Sequence, residues 1–242
     1  MNTVDLLWRR ELPAAPRRGR PPRLTHDQVV AAAISEADRI GIGFTLRHVA
    51  GALGVPVMSL YSYVDGREQL LELMVDDCRA TMVVHGVTAD FAGDWRARLT
   101  AVAADNLALF TKHPWLADIE SERAVLGPGT LTKDERELAA VELRAVGDVD
   151  KDAALTLVLD FVRSAARAFS HAARERDRET PRQWWDREGA ALARLGVTDQ
   201  FPLASRIGSA AGRAQGAAHD AQHAYRFGLQ VILDGLGSIS SG

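Results

Sequence analysis

Apolar residues along this chain recur at helical spacing, and no segment alternates apolar and polar residues as a half-buried strand would. After Thr25, for example, Val30, Ile34 and Ala37 recur at steps of three or four residues. Thr25 with Gln28 three residues later is typical of a capping box, which predicts that a helix begins there. Because the same pattern continues to the C-terminal end, the sequence predicts an all-α fold.

Two short helices in the first third are predicted to form a helix-turn-helix. The first covers residues 45–53 with Thr45 as its N-cap, and the second covers residues 57–64. Gly54-Val55-Pro56 forms the turn between them. Such a pair can place one helix in a DNA major groove, which is about 12 Å wide. The outward residues of the second helix, which have no core to fill, are Val57, Met58, Ser59, Ser62 and Tyr63.

The rest of the chain is also predicted to be helical. A helix over residues 67–84 joins the helix-turn-helix to further helices over residues 94–111, 115–120, 132–146, 150–175, 181–195 and 213–236. The chain then divides into three parts. These are a disordered basic arm over residues 1–23, a helix-turn-helix domain over 24–70, and a C-terminal domain over 71–242.

Charge is distributed unevenly along the chain. The net charge of −3 does not by itself indicate a nucleic-acid partner. Residues 1–25, however, hold six arginines against two carboxylates, and the prolines of residues 13–22 preclude a regular helix. Arg17-Arg18-Gly19-Arg20-Pro21 resembles an AT-hook core, which inserts arginines into a narrow minor groove. Arg17, Arg18, Arg20 and Arg23 are therefore candidate DNA contacts, the alternative being a solvated tail.

Several classes of protein and site are disfavoured. Neither a secretory signal nor a run of about 20 apolar residues is present, so we expect a cytoplasmic protein that does not enter a membrane. The sequence lacks a Gly-rich phosphate loop, a Gly-x-Ser-x-Gly elbow and a His-Glu-x-x-His pair. An enzyme is therefore not expected, and no cofactor is predicted.

The single cysteine and two histidines have ordinary structural explanations. Cys78 has no partner for an internal disulfide and lies on an apolar helical stripe, which predicts a core residue. His219 and His223 are four residues apart, the spacing of a metal-binding pair on a helix. Two histidines at this spacing are more often solvated or interfacial, and we predict no metal site.

Residues 24–74 resemble the DNA-binding domain of TetR-family repressors. The similarity is carried by Val29-Val30-Ala31-Ala32-Ala33, Thr45-Leu46-Arg47-His48-Val49-Ala50, Leu53-Gly54-Val55, Ser59-Leu60-Tyr61 and Arg67-Glu68-Gln69-Leu70-Leu71. Later segments resemble the C-terminal domain of the tetracycline-repressor subgroup. They are Trp95-Arg96-Ala97-Arg98-Leu99, His113-Pro114-Trp115-Leu116, Leu126-Gly127-Pro128, Phe227-Gly228-Leu229 and Leu233-Asp234-Gly235. The resemblance implies a helix-turn-helix domain followed by a helical ligand-binding and dimerisation domain.

The resemblance also implies roles for individual residues. Those implied to hold phosphates are Thr45, Tyr61, Tyr63 and Arg67. Those implied to face base edges are Val57, Met58, Ser59 and Ser62. Arg47 is implied to reach a base or the backbone. Two departures mean that no operator sequence can be transferred: Pro56-Val57 replaces a small residue and proline, and Ser62 stands where a larger side chain is frequent.

The C-terminal part is implied to bind a small-molecule inducer of unknown identity and to form a homodimer. Helix position suggests four inducer contacts, which are Asn106, Phe110, Phe161 and His171. The helix over 150–175 and the last helix are implied to form the dimer interface, and the last helix has a seam of small residues: Ala214, Ala217, Ala221, Ala224 and Gly228. The predicted function is repression at double-stranded operator DNA, relieved by the inducer. A protein-binding helical module and an activator of the same fold remain alternatives.

Overall fold

The structure, a computed structural model, describes residues 2–12, 24–82, 94–119, 124–141, 146–196, 200–216 and 219–240. Every regular element in these residues is helical, which confirms the predicted fold class. The α-helices are α1 (Thr3–Leu7), α2 (His26–Ile40), α3 (Leu46–Leu53), α4 (Arg67–Ala80), α5 (Trp95–Lys112), α6 (Pro128–Ala140), α7 (Asp148–Arg176), α8 (Pro181–Arg194), α9 (Pro202–Gln215) and α10 (Ala221–Ser240). Two 3₁₀ helices cover Val57–Ser62 and Pro114–Asp118.

Local sequence signals set the ends of the helix-turn-helix. Thr25 and Gln28 form the predicted capping box at the start of α2, and Thr45 forms a second one with His48 at the start of α3. Gly54 ends α3 in the left-handed region at φ 63°, a conformation that favours glycine. The chain therefore turns sharply between α3 and the segment that follows.

That following segment is a 3₁₀ helix, Val57–Ser62, rather than the expected helix over residues 57–64. Its hydrogen bonds join residues three apart, as from the Ser59 N–H to the Pro56 carbonyl. Its first turn has no side-chain cap, and Leu60 is its one fully buried residue. A segment this short, with one fully buried side chain, gains little from continuing as an α-helix.

A first hydrophobic core lies among α1, α2, α3 and α4. It also includes Leu109 and Trp115 from α5 and the second 3₁₀ helix, so it extends beyond the helix-turn-helix. Cys78 is buried in this core, as predicted. The boundary predicted between residues 70 and 71 falls inside α4, whose Leu70 and Met74 both belong to the core.

The first residues of the chain differ from the expected disordered arm. Residues 3–7 form helix α1, and Leu6 and Leu7 are only 1% and 3% exposed in the first core. Asn2 caps the helix by accepting a hydrogen bond from the Val4 N–H. The sequence interpretation gave weight to the arginines and prolines and overlooked this apolar pair. Residues 13–23, which include Arg17, Arg18, Arg20 and Arg23, lie outside the described residues.

A second hydrophobic core lies among α5, α6, α7 and α10. Leu99, Val158 and Val162 are fully buried there, and Phe110 packs against both cores. The 29-residue α7 is the longest helix of the described residues and lies against both α5 and α10. This packing gives the C-terminal part a core of its own.

The C-terminal end contains two helices where one was expected over residues 213–236. Pro202 starts α9, and Gly216 ends it in the left-handed region at φ 65°. The expected seam of small residues is therefore divided between α9 and α10, and Ala217 lies outside the described residues. None of the described residues of α8 and α9 is buried. None of the described helices is both long and apolar enough to span a membrane.

Candidate DNA-binding surface and ligand site

Five predicted DNA contacts are exposed on neighbouring elements of the helix-turn-helix. We call this group the reading surface, and it consists of Thr45, Arg47, Met58, Tyr61 and Ser62. Met58 is 75% exposed, which is unusual for a large apolar side chain unless it serves an interface. Thr45 caps α3, so its hydroxyl lies beside free N–H groups at a helix N-terminus. Such a surface offers phosphate-binding groups next to short and apolar side chains.

The remaining residues of this segment have structural contacts. Val57 packs against the first core, so the expectation that it has no core to fill is wrong. Ser59 is half-buried. The hydroxyl of Tyr63 accepts a hydrogen bond from the Leu24 N–H at 3.3 Å, and its ring meets His26 edge-on at 5.4 Å. Tyr63 therefore anchors the point at which the chain enters the helix-turn-helix.

Arg67, expected to hold a phosphate, is directed into the loop between α2 and α3. Its Nε donates to the Phe44 carbonyl at 3.0 Å, and its Nη2 donates to the Ile42 carbonyl. The guanidinium also lies over the Phe44 ring, 4.8 Å from its centroid. In this arrangement Arg67 joins α4 to that loop, and its phosphate contact stays a prediction.

Asn106, the first predicted ligand contact, belongs to a buried polar cluster. Its Nδ2 donates to the Val102 carbonyl at 2.9 Å and to Glu137 Oε1 at 2.5 Å. Glu137 Oε2 accepts from Lys133 Nζ at 2.5 Å, and both charged side chains are buried. Burial lowers the pKa of the Lys133 ammonium, although Glu137 opposes this shift. Because desolvation opposes the burial of both charges, this ion pair contributes little net stability.

A cavity of about 10 Å³ adjoins this cluster, between α4, α5 and α6. Its lining residues are Arg79, Met82, Val102, Asp105, Lys133, Arg136 and Glu137. Burial lowers the pKa of the Arg79 guanidinium, which also donates to Thr130 Oγ1 at 3.2 Å. The helix that leaves the helix-turn-helix thus contributes Arg79 to the lining of a cavity in the C-terminal part.

Phe110 and His171 come together at a second cavity, of about 40 Å³, between α5 and α7. Phe161 lies elsewhere, where its ring stacks on Tyr225 of α10 at 5.8 Å. Gly228 packs closely beside it, because a Cβ there would lie 2.5 Å from the Phe161 ring unless that ring moved. The four predicted ligand contacts therefore occupy three separate places. No group of three or more metal-binding side chains occurs in the described part of the chain.

Asp76 joins α4 to α6, a contact that the sequence interpretation missed. Its carboxylate is buried and accepts from the N–H groups of Gly129 at 3.3 Å and Thr130 at 2.8 Å. It therefore caps α6, whose own N-cap residue, Gly127, has no side chain. A Cβ on Gly127 would lie 2.3 Å from the Asp76 carboxylate, so this approach requires glycine. The one available signal was a helix start without a capping side chain.

Asp38 of α2 forms a second link to the C-terminal part. Its Oδ1 accepts from Trp115 Nε1 at 2.8 Å and lies 2.8 Å from His113 Nδ1. Trp115 and His113 are both buried at the end of α5 and in the second 3₁₀ helix. The helix-turn-helix is therefore attached to the C-terminal part through α2 as well as α4.

Comparisons with known proteins identify the family. Residues 89–239 match the family described as tetracyclin repressor-like, C-terminal domain. The chain belongs to the tetracycline-repressor (TetR) family. The HTH-type transcriptional repressor DrrR1 of Streptomyces coeruleorubidus is 34% identical over 237 residues, covering 97% of this chain and 84% of that relative. This TetR-family chain is therefore a helix-turn-helix transcriptional regulator and not an enzyme.

Solved structures of the TetR family share the fold. Apo ActR from Streptomyces coelicolor superposes with a TM-score of 0.72 at 24% identity, covering 92% of this chain and 99% of that one. ActR in complex with actinorhodin gives the same TM-score and identity, covering 91% and 100%. The resemblance stated from the sequence is thus confirmed in both halves of the TetR-family chain.

Proposed function

We propose that this protein represses transcription as a homodimer on operator DNA and that a small molecule bound in its C-terminal part releases it. The observation that carries the proposal is the connection from the exposed reading surface, through α4, to the buried polar cluster beside α6. A relative named as a repressor and ActR structures with bound actinorhodin and (S)-DNPA support it. The protein would act in the cytoplasm, on double-stranded DNA.

The reading surface would approach a major groove so that the 3₁₀ helix Val57–Ser62 enters the groove first. The Thr45 hydroxyl, the N-terminus of α3 and the Tyr61 hydroxyl suit phosphate oxygens. Met58 suits apolar contact with a thymine methyl group. The Ser62 hydroxyl can donate or accept a hydrogen bond at a base edge. The arm arginines Arg17, Arg18, Arg20 and Arg23 would add minor-groove contacts.

The DNA-binding proposal is tested by titrating the protein against its own upstream promoter and a scrambled duplex at two salt concentrations. We expect selective binding to the promoter, and equal, salt-fragile binding to both duplexes would contradict the proposal. Met58→Glu should abolish selectivity, because it places a negative charge against DNA without disturbing the core. Leu138→Glu is the control, since Leu138 is exposed on α6 and far from the reading surface in sequence.

Homodimerisation is supported by apolar side chains left exposed on α7 and α10. Leu157 of α7 and Phe227 and Val231 of α10 are 50%, 67% and 53% exposed. Phe227 and Val231 are four residues apart and so share one face of α10. Large apolar residues grouped on a helix face are typical of protein interfaces. Two-fold symmetry would then match two half-sites of an operator.

For release, a ligand entering between α4, α5 and α6 would have to displace Arg79 or the Lys133–Glu137 pair. Either change would move α4 relative to α6 and thereby shift the reading surface of each protomer. Coupling of this kind is reciprocal, so promoter DNA must weaken ligand binding by the same factor. The measurement uses any compound that releases the promoter fragment. Equal affinity for that compound with and without promoter DNA would contradict this route.

A further inference from the structure

We propose that residues 2–12 act as a brace that fixes α4 against α2 and against the start of α6. We further propose that the affinity of the protein for its promoter depends on these residues, although they do not contact DNA. The inference rests on the proposed DNA-binding function. We call residues 2–12 the brace.

The brace is anchored by apolar burial. Leu6 and Leu7 are almost completely buried in the core that α2 and α4 share. Thr3 Oγ1 accepts a hydrogen bond from Gln69 Nε2 of α4 at 3.1 Å. A helix of five residues is not stable alone in water, so packing on α4 is what orders α1.

A cluster of four charges ties the brace to two helices at once. Arg9 and Arg10 each pair with Asp27, in the first turn of α2, and with Asp77 of α4, at distances between 2.6 and 3.3 Å. Burial opposes ionisation of Asp27, yet hydrogen bonds from Arg10 and Arg9 outweigh it and lower the pKa of that carboxyl. These arginines are therefore paired with carboxylates of α2 and α4 instead of extending the basic arm.

A third contact reaches the segment before α6. Trp8 Nε1 donates to the Leu126 carbonyl at 2.9 Å. A cleft of about 210 Å³ adjoins it, lined by brace, α4 and α6 residues: Leu7, Arg10, Glu11, Asp76, Ala80, Pro128, Gly129 and Thr132. The brace thus touches α2, α4 and the segment before α6, and the proposed release moves α4 relative to α6.

Loss of the brace should weaken DNA binding for an entropic reason. Two reading surfaces bind an operator only at a fixed separation, which α4 sets in each protomer. A loosened α4 samples more orientations, and that freedom is lost when DNA binds.

The decisive variant is Asp27→Asn with Asp77→Asn, titrated against the promoter duplex and the scrambled duplex. Removing two carboxylates makes the protein more positive, so simple electrostatics predicts tighter binding. The brace predicts promoter binding about tenfold weaker. Glu36→Gln is the control, because Glu36 pairs with Arg39 on α2 itself and should leave binding unchanged. Unchanged or tighter binding by the double variant would overturn the proposal.

A second variant, Arg9→Gln with Arg10→Gln, separates the brace from direct contact. The brace predicts weaker binding with the same salt slope, whereas a shallower slope would show that these arginines hold phosphates and would overturn it.

Amide hydrogen exchange of both double variants tests the brace in the absence of DNA. Faster exchange in α4 and at residues 126–130 is expected, and unchanged exchange would overturn the proposal. If the unmodified protein does not bind its promoter selectively, the proposed DNA-binding function is contradicted. The brace is then tested by the exchange measurement alone.

Discussion

At the scale of single residues, the close approach between α4 and α6 depends on glycines, because glycine has no Cβ. Asp76 reaches the first N–H groups of α6 because Gly127 and Gly129 leave room for α4. A Cβ on Gly129 would lie 2.2 Å from the Asp76 backbone oxygen and 2.8 Å from the Ala80 Cβ. The backbone oxygen cannot rotate away as a flexible side chain can, so the helices themselves would have to separate.

Gly129→Ala is therefore expected to lower the free energy of unfolding by about 1–3 kcal/mol, since it overpacks this contact. Gly208→Ala is the matched control, because Gly208 lies in α9 with nothing within 4 Å of the added methyl. Alanine there should stabilise the helix by about 0.5–1 kcal/mol. Urea unfolding measures both values, and equal effects at the two positions would contradict the proposed packing.

Cys78 should be unreactive in the folded protein. Burial, together with nearby Asp38 and Asp77, raises the pKa of its thiol from 9.0 to about 12. The folded state therefore keeps the proton, and stability falls as pH rises above 9.0 because the unfolded chain releases it. A disulfide reagent at about pH 8 should label Cys78 only after urea is added. Rapid labelling of the native protein would show that the first core opens readily.

At the scale of elements, the Asp38 carboxylate adds a polar link between α2 and the C-terminal part. Asp38 serves two buried donors, His113 and Trp115, that belong to the end of α5 and the second 3₁₀ helix. Leaving a buried donor without an acceptor costs more free energy than a typical hydrogen bond contributes to stability. The donor has still lost its hydrogen bonds to water and gains none in return. The contact therefore makes the position of α2 sensitive to a change at α5.

Asp38→Ala is expected to lower the free energy of unfolding by about 1–3 kcal/mol. It should also shift the Trp115 fluorescence, because the indole N–H loses its carboxylate acceptor. Asp160→Ala is the control, since Asp160 is exposed on α7. The link would be refuted if both substitutions changed stability by the same small amount.

At the scale of the whole molecule, the C-terminal helices expose several large apolar side chains. The described residues of α8 and α9 bury none of their side chains, although Leu195, Leu203 and Ile207 are large and apolar. Phe227 and Val231 continue this character on α10. A surface of this composition is covered in most proteins by another chain, which is why we propose a homodimer.

Phe227→Glu with Val231→Glu should therefore yield a monomer of 26.3 kDa, whereas the unmodified protein should have twice that mass in light scattering. Promoter affinity should fall with it, because one protomer holds only one half-site. Leu131→Glu with Leu138→Glu alters an equally apolar exposed pair on α6 and should remain dimeric. A dimeric α10 variant would place the interface elsewhere.

Local signals in the sequence were sufficient for α2, for α3 and for the turn that follows α3. Each of these signals acts within about four residues, so adjacent residues in the sequence reveal it. They are the capping box at Thr25, the cap at Thr45 and the turn at Gly54. Exposure within residues 57–63 was predicted only in part, because Met58 and Ser62 are exposed whereas Val57 and Tyr63 pack against the first core. The resemblance then supplied the family, because its motifs are contiguous.

The site itself depended on contacts between residues far apart in the chain. Asp76 meets Thr130 across 54 positions, Asp38 meets Trp115 across 77, and Arg10 meets Asp77 across 67. No periodicity encodes such pairs, and a carboxylate on a helix looks the same whether solvent or a helix N-terminus faces it. Sequence alone therefore determined the all-helical fold class and the family, although it missed α1 and most of α9. Tertiary structure alone decided how α1, α2, α4 and α6 are joined, because that depends on packing over distances no local pattern spans.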